Sequence, residues 1–316
     1  MKIVSLLPSA TEIVCQLGLE KNLVGVSHEC DYPNSVANLP KLTSSRVDYS
    51  GKSDSIHQSV IELLKTSVSV YDLDLDLLSK LNPDFILTQD LCDVCAVSFD
   101  QVQSACNEYL KSDTKIISLK PKTLESIWTD IAHVAEELNA VPASTYFKAQ
   151  LDQRIAIIKK RIDQAQVPKK KIITIEWIDP IMAGAMWVPE MVEIVGGESL
   201  MVEVGGLAVT LDYPKLETID PDVVLIKPCG FKLDQTVKEM DAIRSNIPWM
   251  EWNASKVNSV YLVDGNAYFN RPGPRIIDSL EILAYCAFPD IFPEFGERYA
   301  NAIIHLEGGL TLPADD

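Results

Sequence analysis

Two short segments of this sequence occur twice, once in each half of the chain. Pro8–Val14 is matched by Pro189–Val195, and Leu81–Leu87 is matched by Ile219–Leu225. Each half thus predicts a strand, a turn and a helix, followed later by a helix, a Pro-Asp turn and an apolar strand, which is typical of parallel α/β units. We therefore predict an α/β fold with two Rossmann-like lobes. Ligands of open α/β sheets bind beyond the carboxyl ends of the strands, so we expect a ligand cleft between the lobes.

Length and charge limit the classes of function. At 316 residues the chain is longer than one compact core usually serves, so two domains are expected. The net charge of −17 argues against nucleic acid or an anionic membrane surface as a partner, because both are negatively charged. Apolar runs are shorter than the roughly 18 residues that span a bilayer, which predicts no membrane insertion. We expect a small-molecule ligand and, at most, a protein partner.

The amino terminus bears on location. Met1 and Lys2 lead directly into the apolar segment Ile3–Leu7, which leaves no room for a secretory leader. We predict a cytoplasmic protein, or a periplasmic one if a leader has been removed. Seven cysteines, an odd number, then indicate thiols, ligands or core residues rather than a disulfide framework.

The middle of the chain carries a helical pattern. Between Thr123 and Val167 the apolar residues recur in steps of three and four, and Pro142 allows a break or a new helix start. We therefore predict an α/β lobe over residues 1–120, a long helical backbone over residues 121–167 that joins the lobes, and a second α/β lobe over residues 168–316.

Four cysteines follow predicted strands at the end where ligands bind: Cys30, Cys92, Cys95 and Cys229. The C-x-x-C spacing of Cys92 and Cys95 lets two thiolates bind one ion or form a redox couple. Together, four soft ligands suit zinc or an iron–sulfur cluster, with His28 and Glu29 as alternates. The other interpretation is a thiol-lined pocket without metal, since cysteine is among the most often buried residue types.

Aromatic and basic residues form a second group near predicted strand ends. Flat rings with one or two guanidinium groups suit a large, planar or partly anionic ligand. Any single member of this group is better explained by packing, and their coincidence at one edge is what indicates a site. The group consists of Tyr32, Arg46, Trp177, Trp187, Phe231, Phe269 and Arg271.

Five motifs carry a resemblance to a known family: Ile3–Glu12, Gly25–Ser27 with Asp31–Pro33, Leu81–Asp84, Val195–Glu198, and Phe269–Arg271 with Pro274–Ile277. With these motifs the sequence resembles the cobalamin-binding substrate-binding proteins of ABC transporters, and the resemblance covers nearly the whole chain. It implies two α/β lobes joined by a helical backbone, and cobalamin contacts from Tyr32, the loop at Cys92, Phe269 and Arg271.

The chain also departs from that family. Ser27–Cys30 and Leu91–Val97 bring cysteines where the transport proteins offer aromatic or small residues, and a segment from about Val47 to Val70 has no counterpart. The chain thus resembles leaderless members whose ligand the family does not define.

Three hypotheses follow. The first is a binding protein, without catalysis, that holds cobalamin, a related corrinoid or another metal chelate between its lobes. The second is a cytosolic zinc or iron–sulfur thiol protein that uses Cys30, Cys92, Cys95 and Cys229. The third adds a docking surface for an ABC permease or another protein, where the resemblance points to carboxylates such as Asp74, Asp76 and Glu217.

Overall fold

The computed structural model describes residues 1–65, 69–90, 99–110, 113–249, 251–307 and 310–312. The chain divides into two compact units, and the division falls within one long helix. The first unit comprises Met1–Gly51, Ser55–Pro121 and Glu125–Ala149, and the second comprises Lys52–Asp54, Lys122–Leu124 and Gln150–Asp316.

A parallel sheet forms the centre of the first unit. Its strand order is β2-β1-β5-β6, while β3 and β4 pair antiparallel in a separate two-stranded sheet. The elements up to Glu137 are β1 (Ile3–Ser5), α1 (Pro8–Gln16), β2 (Leu23–Val26), β3 (Thr43–Ser45), α2 (Ser53–Lys65), β4 (Tyr71–Leu73), α3 (Leu75–Leu81), β5 (Phe85–Gln89), α4 (Phe99–Tyr109), β6 (Lys115–Leu119) and α5 (Leu124–Glu137).

A larger, mixed sheet forms the centre of the second unit. Its order is β10-β8-β7-β11-β12-β13, with β9 also paired to β7. The elements are α6 (Val141–Ala165), β7 (Lys170–Trp177), β8 (Met182–Ala183), α7 (Val188–Ile194), β9 (Gly197–Ser199), β10 (Val209–Thr210), α8 (Tyr213–Glu217), β11 (Val223–Ile226), α9 (Leu233–Lys238), α10 (Met240–Asn246), α11 (Asn253–Lys256), β12 (Val260–Val263), α12 (Ile276–Ala287), α13 (Pro293–Arg298) and β13 (Ile303–Leu306).

The sequence repeat is a repeat of sheet topology. In the first unit β1 lies between β2 and β5, and β6 follows β5; in the second, β7 lies between β9 and β11, and β12 follows β11. These pairings are all parallel. Pro8 and Pro189 lie in the first turns of α1 and α7, where a missing N–H is tolerated. The predicted parallel α/β units are therefore confirmed, and β8, β10 and β13 are antiparallel additions.

The repeated Pro-Asp turns have the same contacts in both units. The backbone N–H of Lys2 donates to Asp84 Oδ2 at 2.7 Å, and the Asp84 N–H donates to the Lys2 carbonyl at 2.9 Å. Likewise, the Lys171 N–H donates to Asp222 Oδ2 and the Asp222 N–H returns to the Lys171 carbonyl, both at 2.8 Å. The aspartate thus ties the entry of β5 to the start of β1, and the entry of β11 to the start of β7.

The central strands are buried along their length. Each residue of Val223–Ile226 is 0% exposed, as expected for a parallel strand covered on both faces. Trp252, also 0% exposed, packs in the same core and donates its indole N–H to the Leu216 carbonyl at 3.1 Å. The apolar residues of β11 are therefore continuous in sequence rather than alternating, because both faces of the strand are covered.

Two helices occupy the predicted helical segment, α5 and α6, and α6 begins at Val141 with Pro142 in its first turn. The predicted boundaries at residues 120 and 167 remain predictions. No helix in the described ranges combines the length and the apolar character that a bilayer crossing requires.

Candidate functional site

Cys30 is a buried thiol in the loop after β2. Its side chain is 2% exposed, and its Sγ lies 3.1 Å from Thr11 Oγ1. Thr11 in turn donates to Ser5 Oγ at 2.8 Å, and Lys41 Nζ donates to the Cys30 carbonyl at 2.9 Å. Helix α1 and strand β1 therefore supply a chain of hydroxyls beneath this loop.

His28 lies in the same loop and is held at one ring nitrogen. Thr43 Oγ1 accepts from the His28 backbone N–H at 3.1 Å and lies 2.7 Å from Nδ1. Burial lowers the pKa of His28 below its ordinary value, and the charge of Lys41 adds to the effect. The ring packs 5.6 Å from the ring of Tyr71. The imidazole is therefore neutral at pH 7.

Tyr32 and Arg46 have different environments. Tyr32 is 47% exposed. Arg46 directly follows β3 and forms a two-point contact with Asp72 in β4, with Nε donating at 2.9 Å and a terminal nitrogen donating to the other oxygen. Arg46 is thus paired with a carboxylate of its own unit. The predicted ligand contacts of both residues remain predictions.

The four-cysteine metal site is not assembled by the described residues. Cys92 and Cys95 lie outside them. Cys30 is buried in the first unit, and Cys229 is exposed in the second. Within the described part of the chain, no group of three or more His, Cys, Asp or Glu side chains has the geometry to hold a metal ion. The zinc or iron–sulfur hypothesis therefore gains no support.

In the second unit, Trp177 and Phe231 form an aromatic pair. Trp177 ends β7 and Phe231 follows β11, and their ring centroids lie 5.3 Å apart in an edge-to-face arrangement. The Trp177 indole N–H donates to the Asp179 carbonyl at 3.1 Å. Phe231 is 1% exposed, so Trp177 is the more accessible ring of the two.

Trp187 and Phe269 are joined by a hydrogen bond from the Trp187 indole N–H to the Phe269 carbonyl at 2.7 Å. Both side chains are buried, and Phe269 is 0% exposed. The Phe269 backbone has φ of +66°, a left-handed conformation that residues with bulky side chains rarely adopt. Ser279 Oγ accepts the Phe269 N–H at 2.8 Å. Trp187 and Ser279 thus both hold the backbone of this loop at Phe269 through hydrogen bonds.

Arg271 follows in the same loop and is 8% exposed. Its guanidinium donates to Asn266 Oδ1 at 2.8 Å. The Asn266 and Ala267 backbone N–H groups donate to Asp264 Oδ1 at 3.0 and 2.8 Å, which shapes the turn after β12. The loop that the sequence predicted as ligand-binding is therefore highly organised by internal contacts.

Sequence reasoning missed Glu176 and Lys227, which lie behind that loop, and gave no separate role to Asn270 within it. Lys227 is 0% exposed, and its Nζ donates to Asn270 Oδ1 at 2.8 Å and to Glu176 Oε2 at 3.3 Å. The sequence feature that could have identified Lys227 is its position directly after the wholly apolar strand β11.

Comparison with known proteins agrees with this architecture. A family model described as periplasmic binding protein matches residues 3–267. The chain is similar to an uncharacterized ABC transporter substrate-binding lipoprotein of Bacillus subtilis (strain 168), with 23% identity over 298 residues, which are 93% of this chain and 82% of the relative.

Two solved structures show the same fold. One is a periplasmic heme-binding protein of Pseudomonas aeruginosa, with a TM-score of 0.67, 18% identity, and coverage of 91% of this chain and 92% of that one. The other is a periplasmic vitamin B12 binding protein of Vibrio cholerae, with a TM-score of 0.61, 18% identity, and coverage of 90% and 96%.

The family match extends over most of the chain, and the two parallel-sheet units are those expected of such a protein. The predicted fold class and the resemblance to substrate-binding proteins are therefore confirmed. The chain belongs to the periplasmic binding protein family and is a solute-binding protein of the ABC transporter type.

Proposed function

We propose that this protein binds a macrocyclic metal chelate, a heme or a corrinoid, through the loops at the carboxyl ends of its parallel strands. The interlobe cleft predicted from the sequence is part of this proposal. The observation that carries it is the Phe269–Arg271 loop, in which a mostly buried guanidinium is held by Asn266 next to a rigid, left-handed backbone turn. A preorganised loop binds a ligand with less loss of conformational entropy.

The relatives support this class of ligand. The structures of similar fold include a heme-binding protein and a vitamin B12 binding protein, both ligands being large metal-containing macrocycles. Trp177, partly exposed beside Phe231, offers an aromatic surface in the same unit, and such surfaces stack against large conjugated rings. Tyr32 is a candidate for the first unit.

The two ligand types differ in the groups at their rims, and Arg271 distinguishes them. Heme carries two carboxylates, whereas corrinoids carry mainly amides, and a guanidinium binds carboxylates with paired, charge-assisted hydrogen bonds. Arg271→Gln keeps a donor for Asn266 but removes the charge. We expect it to weaken hemin binding about tenfold or more, and cyanocobalamin binding by less than about threefold.

The experiment is separate titration of the purified protein with hemin and with cyanocobalamin, followed by absorbance and calorimetry. Arg244→Gln is the matched control, since Arg244 lies on α10 of the same unit and contacts Asp241 and the Leu310 carbonyl. The control is expected to bind as the wild type does. If neither chelate binds at micromolar concentration, the proposed function is wrong.

We also propose that an ABC permease is the protein partner and that the protein acts outside the cytoplasmic membrane. The supporting relatives are described as a lipoprotein and as periplasmic proteins. The cytoplasmic location predicted from the amino terminus has no support among them. Asp76 and Glu217 are exposed and remain candidates for permease contacts, whereas Asp74 caps α3 by accepting the Leu77 N–H at 2.9 Å.

A further inference from the structure

A fully buried lysine lies directly after β11. Lys227 is 0% exposed, although lysine is almost never fully buried unless it is paired. Its Nζ has two partners, Asn270 Oδ1 at 2.8 Å and Glu176 Oε2 at 3.3 Å. An ammonium group in such a place is tolerated because these contacts replace its hydration. These two contacts also connect Lys227 to two loops of the second unit.

Asn270 connects this lysine to the loop after β12. Its Nδ2 donates to the Lys227 carbonyl at 3.1 Å and to the Gly265 carbonyl at 2.8 Å, while its Oδ1 accepts from Lys227 Nζ. The backbone at Gly265 is also in close contact with the segment directly after β11, because a Cβ there would lie 2.0 Å from the Pro228 carbonyl oxygen. Every polar atom of the Asn270 side chain is thus used to fix the loop against the end of β11.

Glu176 connects the same lysine to a second loop. Glu176 Oε2 accepts from Lys227 Nζ and also from the Ala185 backbone N–H at 3.0 Å. Ala185 lies in the segment between β8 and α7, two residues before Trp187. Trp187 in turn donates to the Phe269 carbonyl. The two loops are therefore linked to each other, and both are linked to Lys227.

These contacts support a strained backbone conformation at Phe269. Phe269 has φ of +66°, and a non-glycine residue in this region persists only when its surroundings over-determine it. Asn270 and Arg271 follow directly in sequence. Loss of the Lys227 ammonium would remove one of the three hydrogen bonds described for the Asn270 side chain and loosen this loop. The guanidinium of Arg271 would then sample positions other than the one seen here.

We propose that Lys227 is a positioning residue for ligand binding. Its ammonium holds Asn270, and through it the Phe269–Arg271 loop, in the conformation that receives the ligand. This inference rests on the proposed function of that loop. The charge matters because hydrogen bonds to a charged group are roughly twice as strong as neutral ones. The one cation satisfies Asn270 in this loop and Glu176 in β7, which in turn holds the Ala185 N–H of the second loop.

Lys227→Met is the main test, because methionine approximates the lysine stem and removes both polar contacts. We expect it to bind the chelate that the wild type binds about tenfold or more weakly. Arg161→Met is the matched control: it breaks another polar contact of the second unit, to Glu294 and the Ile291 carbonyl on the side of α13. The control is expected to stay within about twofold of wild-type affinity.

A double variant separates positioning from general destabilisation. For hemin, whose binding is expected to depend on Arg271, Lys227→Met combined with Arg271→Gln binds within about twofold of Arg271→Gln alone if Lys227 acts through the loop. If the affinity losses of the two single substitutions multiply in the double variant, the proposal is wrong. Wild-type affinity in a folded Lys227→Met protein would also overturn it. If Lys227→Met does not fold, Asn270→Ala replaces it, since that variant keeps the pair of Lys227 with Glu176.

A readout without ligand distinguishes this proposal from the proposed function. Hydrogen exchange measured by mass spectrometry reports the opening of residues 266–273 directly. Lys227→Met, or Asn270→Ala in its place, is expected to speed exchange in this segment at least about fivefold, and Arg161→Met to leave it unchanged. Unchanged exchange in the variant would refute the positioning role even if chelate binding by the wild type is confirmed. Faster exchange with no chelate binding would instead refute the proposed function alone.

Discussion

The two units share a four-stranded parallel core but support the carboxyl ends of its strands with different chemistry. In the first unit the loop after β2 rests on hydroxyl and thiol groups of Ser5, Thr11 and Cys30. In the second unit the ends of β7 and β11 are instead joined by an ion pair between the fully buried Lys227 and the partly buried Glu176. By contrast, the Pro-Asp contacts at the starts of the strands are the same in both. The scaffold is duplicated at the amino ends of the strands, and the chemistry differs at their carboxyl ends, where we propose that the ligand binds.

The same difference extends to ion pairs away from the strand ends. In the second unit, Glu281 on α12 is 3% exposed and accepts from Arg154, Arg298 and Tyr299. In the first unit, the pair of Lys115 with Glu137 has side chains that are 63% and 32% exposed. Buried pairs are strongly destabilising when one partner is removed, whereas exposed pairs contribute little. The second unit is therefore the more sensitive to charge removal.

Glu281→Ala is expected to have the largest effect. It leaves three donors without their shared acceptor, and we expect a loss of about 3 kcal/mol in the free energy of unfolding, the lower end of the usual range, because Arg154 and Arg298 keep some solvent contact. Urea unfolding monitored by tryptophan fluorescence tests this, since four of the five tryptophans lie in the second unit. A loss below about 1 kcal/mol would contradict the comparison.

The pH dependence of the same carboxylate follows from its environment. Burial by itself would raise the pKa of Glu281, but the hydrogen bonds from Arg154 and Tyr299 and the charges of Arg154 and Arg298 outweigh it, so the pKa lies below its ordinary value. A lowered pKa in the folded state contributes stability above the unfolded-state value of about 4.3, and this is lost as the pH falls through the folded-state value.

We therefore expect the stability advantage of the wild type over Glu281→Gln to be greatest near neutral pH, on the order of 1–2 kcal/mol, and to shrink below about pH 4. Urea midpoints of both proteins at about pH 7, pH 5 and pH 3.5 measure it. A difference that is constant over this range would show that the charge of Glu281 contributes nothing.

The two Pro-Asp turns allow a matched pair of variants. Asp84→Ala and Asp222→Ala each remove a carboxylate that accepts a backbone N–H at the start of a central strand, from Lys2 beside β1 and from Lys171 in β7. We expect losses of about 1 kcal/mol for Asp84 and about 1.5–2 kcal/mol for Asp222, because Asp222 also accepts from Asn253 Nδ2 at 3.1 Å. Hydrogen exchange at the Lys2 and Lys171 amides gives the local readout. Unchanged protection in either variant would argue against a shared role.

Lys115→Ala is expected to have the smallest effect. The pair with Glu137 is exposed, so the urea midpoint should match that of the wild type within error. A clear shift would mean that the first unit relies on charge pairs as the second does, and would remove the contrast between the units.

Much of the fold was predictable because local pattern and tertiary environment agree. The repeated segments Leu81–Leu87 and Ile219–Leu225, predicted to end in apolar strands, lead into β5 and β11, since apolar runs bounded by polar or turn residues have few alternatives. The two-residue strands β8 and β10 were not predictable. Such short segments carry no periodicity, and the available sheet edge decides their pairing, with β8 on β7 and β10 on β8.

The candidate site was predictable in part. The Phe269–Arg271 segment was identified from sequence, and its organisation is visible in the structure. The burial of Phe269 and Trp187 was not foreseen, because a ring near a predicted strand end reads the same whether it faces a ligand or the core. The partners of Lys227 are 51 and 43 residues away in sequence, beyond any local pattern.

The amino-acid order by itself determined the duplicated parallel core, because apolar periodicity, the proline at each helix start and the aspartate at each turn act over a few residues. Only the tertiary structure decided which buried polar side chains hold the loops in place. An ammonium such as that of Lys227 is stable in the core only where distant acceptors converge on it, and that convergence is a property of packed strands and loops rather than of any segment of sequence.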